Sequence, residues 1–141
     1  DPKHEYISRS RELNQITRLF VMLLSVIVQL VIVLSGIGME INVGSVISIP
    51  IALMFVAAGN YLPKCKQNYT MGIKLPWTLA DEDNWNRTHR LAGYVWTAGG
   101  ILMLIMGFFH LAYLFFLVFM AMVLIPSVYS YLIYRKKLKG I

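Results

Sequence analysis

The residues best suited to chemistry lie in one stretch, residues 68–90, which reads NYTMGIKLPWTLADEDNWNRTHR. General acid–base catalysis needs an acid and a base that reach the same substrate, and this stretch offers Asp81 and His89. They are eight positions apart, a little over two helical turns, so their side chains would share a helix face without touching. Serine paired with histidine or aspartate at membrane depth, as an intramembrane protease needs, is also missing. The sequence therefore predicts that the chain is not an enzyme.

Metal, thiol and proton-coupled chemistry have little support in the sequence. The histidines His4, His89 and His110 lie in three different segments, and no spacing puts two ligands on one helix face. Cys65 is the single cysteine, so it forms no internal disulfide and no cysteine metal cluster, and we expect a solvated or lipid-adjacent thiol. No apolar segment carries an ionisable group in its central part, which disfavours a proton-coupled exporter. We expect no metal and no other cofactor.

The segments that position these residues are hydrophobic enough to lie in a membrane. Of the 141 residues, 57% are hydrophobic and only 14% are charged. Residues 19–37 and 43–62 are each long enough for one helical crossing, and the apolar run 91–134 is long enough for two, 91–109 and 112–134. Each span must be helical, because lipid offers no partner to an open strand edge. The predicted fold class is an all-α integral membrane protein, a bundle of four transmembrane helices with a loop or short helix between the second and third.

The positive charges orient these spans. All 13 lysines and arginines lie in residues 1–18, 63–90 or 135–141, which leaves none for the opposite ends of the spans. By the positive-inside rule, we expect the basic N-terminal segment, the 63–90 loop and the basic tail to face the cytoplasm of a cell membrane. The outer face then consists of two tight turns. The net charge of +6 reflects this topology, so no direct nucleic-acid partner is predicted.

Small residues predict how the spans pack. They recur every seven positions on the second and third spans, where close backbone contact replaces the hydrophobic drive that lipid removes. These residues are Ser45, Ala52 and Gly59 on the second span and Gly93, Gly100 and Gly107 on the third. We expect Pro126 to kink the fourth span without ending it.

The 63–90 loop contains start signals for a helix. Thr78 can act as an N-cap, and Asp81 three residues later completes a weak capping box, so a helix is predicted to begin at about Leu79. Asp83 and Arg87 are spaced for an i,i+4 ion pair.

Interfacial anchoring explains only part of this loop. Trp77 and Trp85 suit the depth at which amphipathic rings lie in a membrane. The same interpretation explains Asn60, Asn68, Gly72 and His89 poorly.

One family shares the order and spacing of these residues. They run Gly59-Asn60, Asn68, Gly72-Ile73, Pro76-Trp77-Thr78-Leu79, Trp85 and Thr88-His89-Arg90 with Gly93, and this order resembles the signature of the SdpI family of bacterial membrane proteins. Many relatives have Arg-Thr where this chain has Lys74-Leu75. Relatives often carry a further membrane region ahead of this one, so we expect the chain, which begins at Asp1, to be the C-terminal membrane domain of a longer protein.

The resemblance implies a membrane immunity protein that protects the cell from a secreted antimicrobial peptide toxin. The family's named member gives immunity to a sporulation-delaying toxin and also sequesters a cognate repressor at the membrane as a signalling step. The implied partners are the lipid bilayer, a secreted peptide toxin and a cytoplasmic transcriptional repressor, and a homo-oligomer is left open. The signature residues carried over as candidates for partner or ligand binding are Asn60, Asn68, Gly72, Pro76, Trp77, Thr78, Trp85, His89 and Arg90.

An alternative is a small polar site at the cytoplasmic interface that binds a lipid head group or a small molecule. Its donors would be Asn60, Asn68, His89 and Arg90, with Trp77 or Trp85 as walls. Under the immunity hypothesis, by contrast, the toxin meets the span surfaces within the bilayer, and the loop serves a cytoplasmic partner or stabilises the bundle.

Overall fold

A computed structural model describes residues 2–68 and 72–140 of the protein, with the backbone alone at residues 2–10, 12 and 13. The described residues are mostly helical, and none of them forms a β-strand. The helices are α1 (Pro2–Gly36), α2 (Val43–Tyr61), α3 (Pro76–Ala80), α4 (Glu82–Phe108) and α5 (Ala112–Leu138), and a 3₁₀-helix, Leu62–Lys64, follows α2. The predicted all-α class is confirmed.

Within the described residues, four segments are long and apolar enough to cross a membrane. They are Asn14–Gly36, Val43–Lys64, Glu82–Phe108 and Ala112–Leu138. Large apolar side chains such as Leu30, Ile105 and Leu124 are exposed on these helices. Water opposes such exposure and hydrocarbon does not, so the chain is a multi-pass membrane protein. The side of the membrane that each end faces stays a prediction.

The chain divides into two compact units, residues 1–47 and residues 48–141. In the first unit, α1 ends at Gly36 and the chain turns through Gly38, whose φ of +96° favours glycine. Asn42 then caps α2, because its Oδ1 accepts a hydrogen bond of 3.1 Å from the backbone N–H of Ser45.

In the second unit, α4 approaches the later part of α2 closely enough for backbones to touch. A Cβ added at Gly93 would lie 2.9 Å from the carbonyl oxygen of Gly59, and one added at Gly100 would lie 3.0 Å from that of Ala52. One added at Gly107 would lie 2.5 Å from the Ser48 hydroxyl. Distances this short exclude a side chain, so the predicted packing through small residues is confirmed at these positions.

The apolar core of this unit lies where α2, α4 and α5 meet. Its buried residues are Ala52, Phe55, Met103 and Met122. The Phe55 ring packs edge-on against Trp96, with ring centroids 5.1 Å apart. Such aromatic pairs add to the packing energy that holds helices together in lipid.

Helix α5 continues through Pro126, as predicted. Proline has no N–H, so the carbonyl of Met122, four residues earlier, loses its helical donor. The indole N–H of Trp96 on α4 donates to that carbonyl instead, at 3.0 Å. A backbone group that hydrocarbon could not satisfy therefore becomes a contact between two helices.

The predicted start of a helix at Leu79 is wrong. Thr78 lies inside the separate short helix α3, and α4 begins at Glu82. Asp81 between them is extended, with φ −137° and ψ 110°, and its carboxylate accepts from the N–H of Asp83 at 3.1 Å, so Asp81 is the N-cap of α4. The predicted pair of Asp83 with Arg87 is confirmed, with Nε 3.4 Å from Oδ2.

Candidate functional site

The first two turns of α4 carry a buried tryptophan. Trp85 is fully buried, and its indole N–H donates to the backbone carbonyl of Cys65 at 2.9 Å. Cys65 follows the 3₁₀-helix after α2, so this bond fastens the end of α2 to the start of α4. Trp85 therefore lies inside the protein, and the expectation of an interfacial ring is wrong for it.

His89 lies one turn after Trp85 and is 1% exposed. Its ring stacks on the indole of Trp85, with centroids 4.1 Å apart and 17° between the planes. Nδ1 lies 2.8 Å from the carbonyl of Trp85, and Nε2 accepts from the N–H of Ile73 at 2.9 Å. A carbonyl only accepts and an N–H only donates, so the neutral Nδ1–H tautomer is the form that makes both bonds. Both ring nitrogens are engaged inside the protein.

Gly72 closes over these two rings. Its φ of +113° lies in the region that glycine alone adopts readily. A Cβ at this position would lie 2.7 Å from Nε2 of His89 and 2.8 Å from Cη2 of Trp85. The glycine of the signature is thus required by its backbone conformation and by the contact with the rings.

Thr78 holds the segment that follows. Its buried hydroxyl accepts from the N–H of Leu75 at 2.9 Å and lies 2.9 Å from the carbonyl of Ile73. Pro76 occupies the first position of α3, where its missing N–H costs nothing. Gln67, which follows the 3₁₀-helix, donates to the carbonyl of Thr78 at 2.9 Å. Gly72, Ile73, Thr78, Trp85 and His89 together are named the signature cluster.

Helix α5 contacts α3 and the start of α4 at Ser130. The indole N–H of Trp77 donates to the Ser130 hydroxyl at 2.8 Å, and the amide of Asn84 donates to the Ser130 carbonyl at 3.0 Å. The Trp77 ring also stacks on Tyr134, with centroids 5.7 Å apart. Trp77 and Asn84 lie 53 and 46 positions before Ser130 in the chain, and both bond to this one serine.

A partly exposed ion-pair contact joins the end of α5 to the start of α4. The ammonium of Lys137 on α5 lies 2.6 Å from Oδ2 of Asp81 and 2.9 Å from Oδ2 of Asp83. The hydrogen bond from Lys137 holds the pKa of the Asp81 carboxyl below its usual value. These groups are partly exposed, so the contact stabilises the region only modestly.

Five predicted site residues lie outside the signature cluster: Asn60, Asn68, Pro76, Trp77 and Arg90. Asn60 and Arg90 are exposed and line an open groove of about 490 Å³ beside Gly93 and Thr97. Asn68 is half-buried and donates to the carbonyl of Lys66 at 2.7 Å. The donors of the expected polar site are thus divided, because His89 is enclosed while Asn60 and Arg90 face a separate groove.

Cys65 is 4% exposed, so the expectation of a solvated or lipid-adjacent thiol is wrong. Its thiol is 3.7 Å from the carbonyl of Lys66 and 3.6 Å from the amide nitrogen of Asn68. Burial raises the pKa of the Cys65 thiol, so its reactive thiolate form is disfavoured.

The arrangement is a closed hydrogen-bonded unit. In the described parts of the chain, every buried side-chain nitrogen or oxygen has a partner, and no group of three histidine, cysteine or acidic side chains could hold a metal ion. Polar groups in a low-dielectric region that satisfy one another make a rigid unit. The chemistry available to the signature cluster is therefore structural, whereas the exposed neighbours can meet a partner.

Sequence reasoning missed four residues that complete this region. They are Gln67, Asn84, Ser130 and Lys137. A signal for Asn84 was present, because it shares one helix face with Trp85, Thr88 and His89 once residues 82–90 are read as a helix. Ser130 and Lys137 carry no such local signal, since their partners are remote in the sequence.

Comparisons with known proteins agree with the signature. Residues 64–130 match the SdpI/YfhL protein family. The chain is 32% identical over 122 residues to "Immunity protein SdpI" of Bacillus subtilis (strain 168). That alignment covers 84% of this chain and 58% of the relative, so the chain spans little more than half of the relative's length. No solved structure matches the chain. The family resemblance predicted from the residues is confirmed.

Proposed function

Because this chain contains the SdpI/YfhL family region at residues 64–130, we propose that it is a membrane immunity protein that protects the cell from a secreted antimicrobial peptide toxin. The observation that carries the proposal is the 32% identity to an immunity protein over 84% of this chain. A non-enzymatic role fits the closed signature cluster, which offers no activated nucleophile and no acid–base pair.

Immunity is proposed to act within the bilayer. The cationic segments favour an orientation in which the 63–90 loop and both ends of the chain face the cytoplasm. In that orientation the turns at residues 37–42 and 109–111 face outward and offer little surface to a toxin arriving from outside. The exposed apolar faces of α4 and α5 are the larger surface, and an apolar peptide can pack against them as a further helix would.

The test is the survival of toxin-sensitive bacteria that express the chain and are exposed to a panel of membrane-active peptides. Expression is expected to protect against at least one peptide, and protection against none would refute immunity. Two matched variants locate the surface: Leu102→Ala with Ile105→Ala on α4, and Leu124→Ala with Ile125→Ala on α5. All four side chains are about half exposed, so their truncation should leave folding and insertion intact. Loss of survival in neither double variant would contradict the bilayer mechanism.

Orientation has its own test. In a Cys65→Ser background, Lys74→Cys places one thiol at an exposed position of the loop. A maleimide that cannot cross an intact membrane should leave this thiol unmodified until the cells are permeabilised. Modification in intact cells would reverse the proposed orientation and remove the mechanism built on it.

The finer proposal is that the cytoplasmic face also sequesters a cognate repressor. Asn68 and Trp77 support it, because both are partly accessible and are held by a rigid unit. A gene for a small helix-turn-helix repressor beside this one would supply the partner for a membrane co-fractionation assay. Asn68→Ala should weaken repressor retention and leave survival unchanged, and the reverse pattern would refute the division of roles.

A second candidate function is the binding of a lipid head group or a small molecule. The open groove of about 490 Å³ favours it, because its lining combines Asn60, Arg90 and Thr97 with apolar residues. A phosphorus-bearing compound that copurifies with the chain and is lost in Asn60→Ala with Arg90→Gln would support this candidate. Equal phosphorus content in both proteins would refute it.

A further inference from the structure

A second groove lies between the start of α4 and the end of α5. It has a volume of about 500 Å³ and is named the basic groove. Five cationic side chains line it: Arg87, Arg135, Lys136, Lys137 and Lys139. One apolar wall completes it, formed by Tyr129, Leu132 and Ile133.

The cations of the basic groove fall into two sets. Arg87 and Lys137 are paired with the carboxylates of Asp81 and Asp83. The other set is Arg135, Lys136 and Lys139. Among the described residues, none of these three lies within ion-pair distance of a carboxylate, and all three are exposed. The basic groove therefore holds more positive charge than its own acids balance, and it suits an anion.

The basic groove is also amphipathic along the axis of α5. Leu132 and Lys136 are four residues apart, about 6 Å along a helix, and Leu132 is 51% exposed. The cations thus begin one turn beyond an apolar surface that continues toward the middle of the span. A free phosphate or an acidic protein would use the cations alone, whereas a phospholipid uses both parts.

Topology and the helix dipole do not account for the whole arrangement. Basic residues in the last turn of a helix favour its dipole and the cytoplasmic side of a membrane. Neither effect requires a concave space with one apolar wall. A bound anion requires converging cations, and a lipid requires the wall as well.

We propose that the basic groove binds an anionic phospholipid, with the phosphate among Arg135, Lys136 and Lys139 and an acyl chain along Tyr129 and Leu132. Arg135 contributes a planar donor group that can bind two phosphate oxygens at once, and the lysines contribute point charges. A zwitterionic lipid fits less well, because its own cationic head group would face the same side chains.

The test uses the full chain in a non-ionic detergent with equal amounts of phosphatidylglycerol and phosphatidylcholine that carry identical acyl chains. Native mass spectrometry then measures which lipid each variant retains. The groove variant is Arg135→Gln, Lys136→Gln and Lys139→Gln. Its matched control is Arg18→Gln, Lys64→Gln and Lys66→Gln, which removes an equal number of positive charges at exposed positions outside the basic groove. The groove variant should lose about tenfold in phosphatidylglycerol retention, or about 1.4 kcal/mol, while the control stays at the level of the original chain.

A gain-of-binding variant excludes misfolding as an explanation. Asp81→Asn with Asp83→Asn removes both carboxylates from the rim, and asparagine still serves as the N-cap of α4. This variant should retain more phosphatidylglycerol, because Arg87 and Lys137 become available to the phosphate. Equal loss in the groove variant and the control, equal retention of the two lipids, or displacement by glycerol phosphate alone would each overturn the proposal.

Discussion

Replacement of Gly72 by alanine is the sharpest test of the signature cluster. The φ of +113° is unfavourable for alanine, which costs about 1–3 kcal/mol. The new methyl group would also lie 2.7 Å from His89 and 2.8 Å from Trp85, and such overpacking costs about 1–3 kcal/mol more. Gly72→Ala should therefore destabilise the folded cluster by about 2–6 kcal/mol.

Two other glycines separate these contributions. Gly38 also has a positive φ, +96°, but nothing lies within 4 Å of an added Cβ, so Gly38→Ala tests the backbone cost alone. Gly36 has neither feature, and Gly36→Ala should leave stability almost unchanged. The expected order of destabilisation is Gly72→Ala first, then Gly38→Ala, then Gly36→Ala.

The single cysteine provides a local assay. Cys65 is buried, and its carbonyl accepts the hydrogen bond from Trp85, so a maleimide should modify the thiol only when the signature cluster opens. Gly72→Ala should raise the labelling rate at least tenfold, since 1.4 kcal/mol corresponds to a factor of ten, and should lower the thermal midpoint in detergent. Labelling in Gly72→Ala as slow as in Gly38→Ala would refute the claim that Gly72 packs against the two rings.

Three further predictions concern the same region. Trp85→Phe leaves the carbonyl of Cys65 without its donor and should cost about 1–3 kcal/mol in thermal unfolding, whereas Tyr94→Phe, on the exposed face of α4, should cost little. The pKa of the Asp81 carboxyl is lowered, so its contact with Lys137 should stabilise the fold fully above the ordinary carboxyl pKa. This stabilisation should be lost as the pH falls through the lowered pKa. Lys137→Gln should remove this acid dependence from unfolding curves. The pKa of the Cys65 thiol is raised, so the thiol in the folded chain should stay unreactive to a more alkaline pH than in the denatured chain. The free energy of unfolding should decline only as the pH rises past the ordinary thiol pKa. Equal pH profiles of alkylation for the folded and denatured chains would contradict this.

Part of the candidate site was visible in the sequence. Gly72, Thr78, Trp85 and His89 were identified by their resemblance to the family signature, and the structure gathers them into one unit. The sequence did not show whether these side chains face the protein interior or the membrane interface. Trp85 suits an interfacial ring as well as a buried one, and the choice depends on whether a backbone carbonyl lies within reach of its N–H.

The start of α4 shows why local rules were insufficient there. Thr78 and Asp81 can each cap a helix, and the sequence does not say which one does. The hydroxyl of Thr78 bonds to Leu75 and lies against Ile73 instead, so Asp81 becomes the cap. Cys65 likewise carries no local sign of burial, because the indole that donates to its carbonyl comes from another helix.

The sequence alone determined the helical class, the four apolar segments and the family resemblance, because hydropathy, length and short-range spacing are local properties and lipid admits no exposed backbone. Only the tertiary structure decided that Thr78, Trp85 and His89 face inward and that Ser130 and Lys137 of α5 complete the region. These contacts join residues far apart in the chain. They form where α3 and the start of α4 pack against α5, so that polar groups satisfy one another away from water.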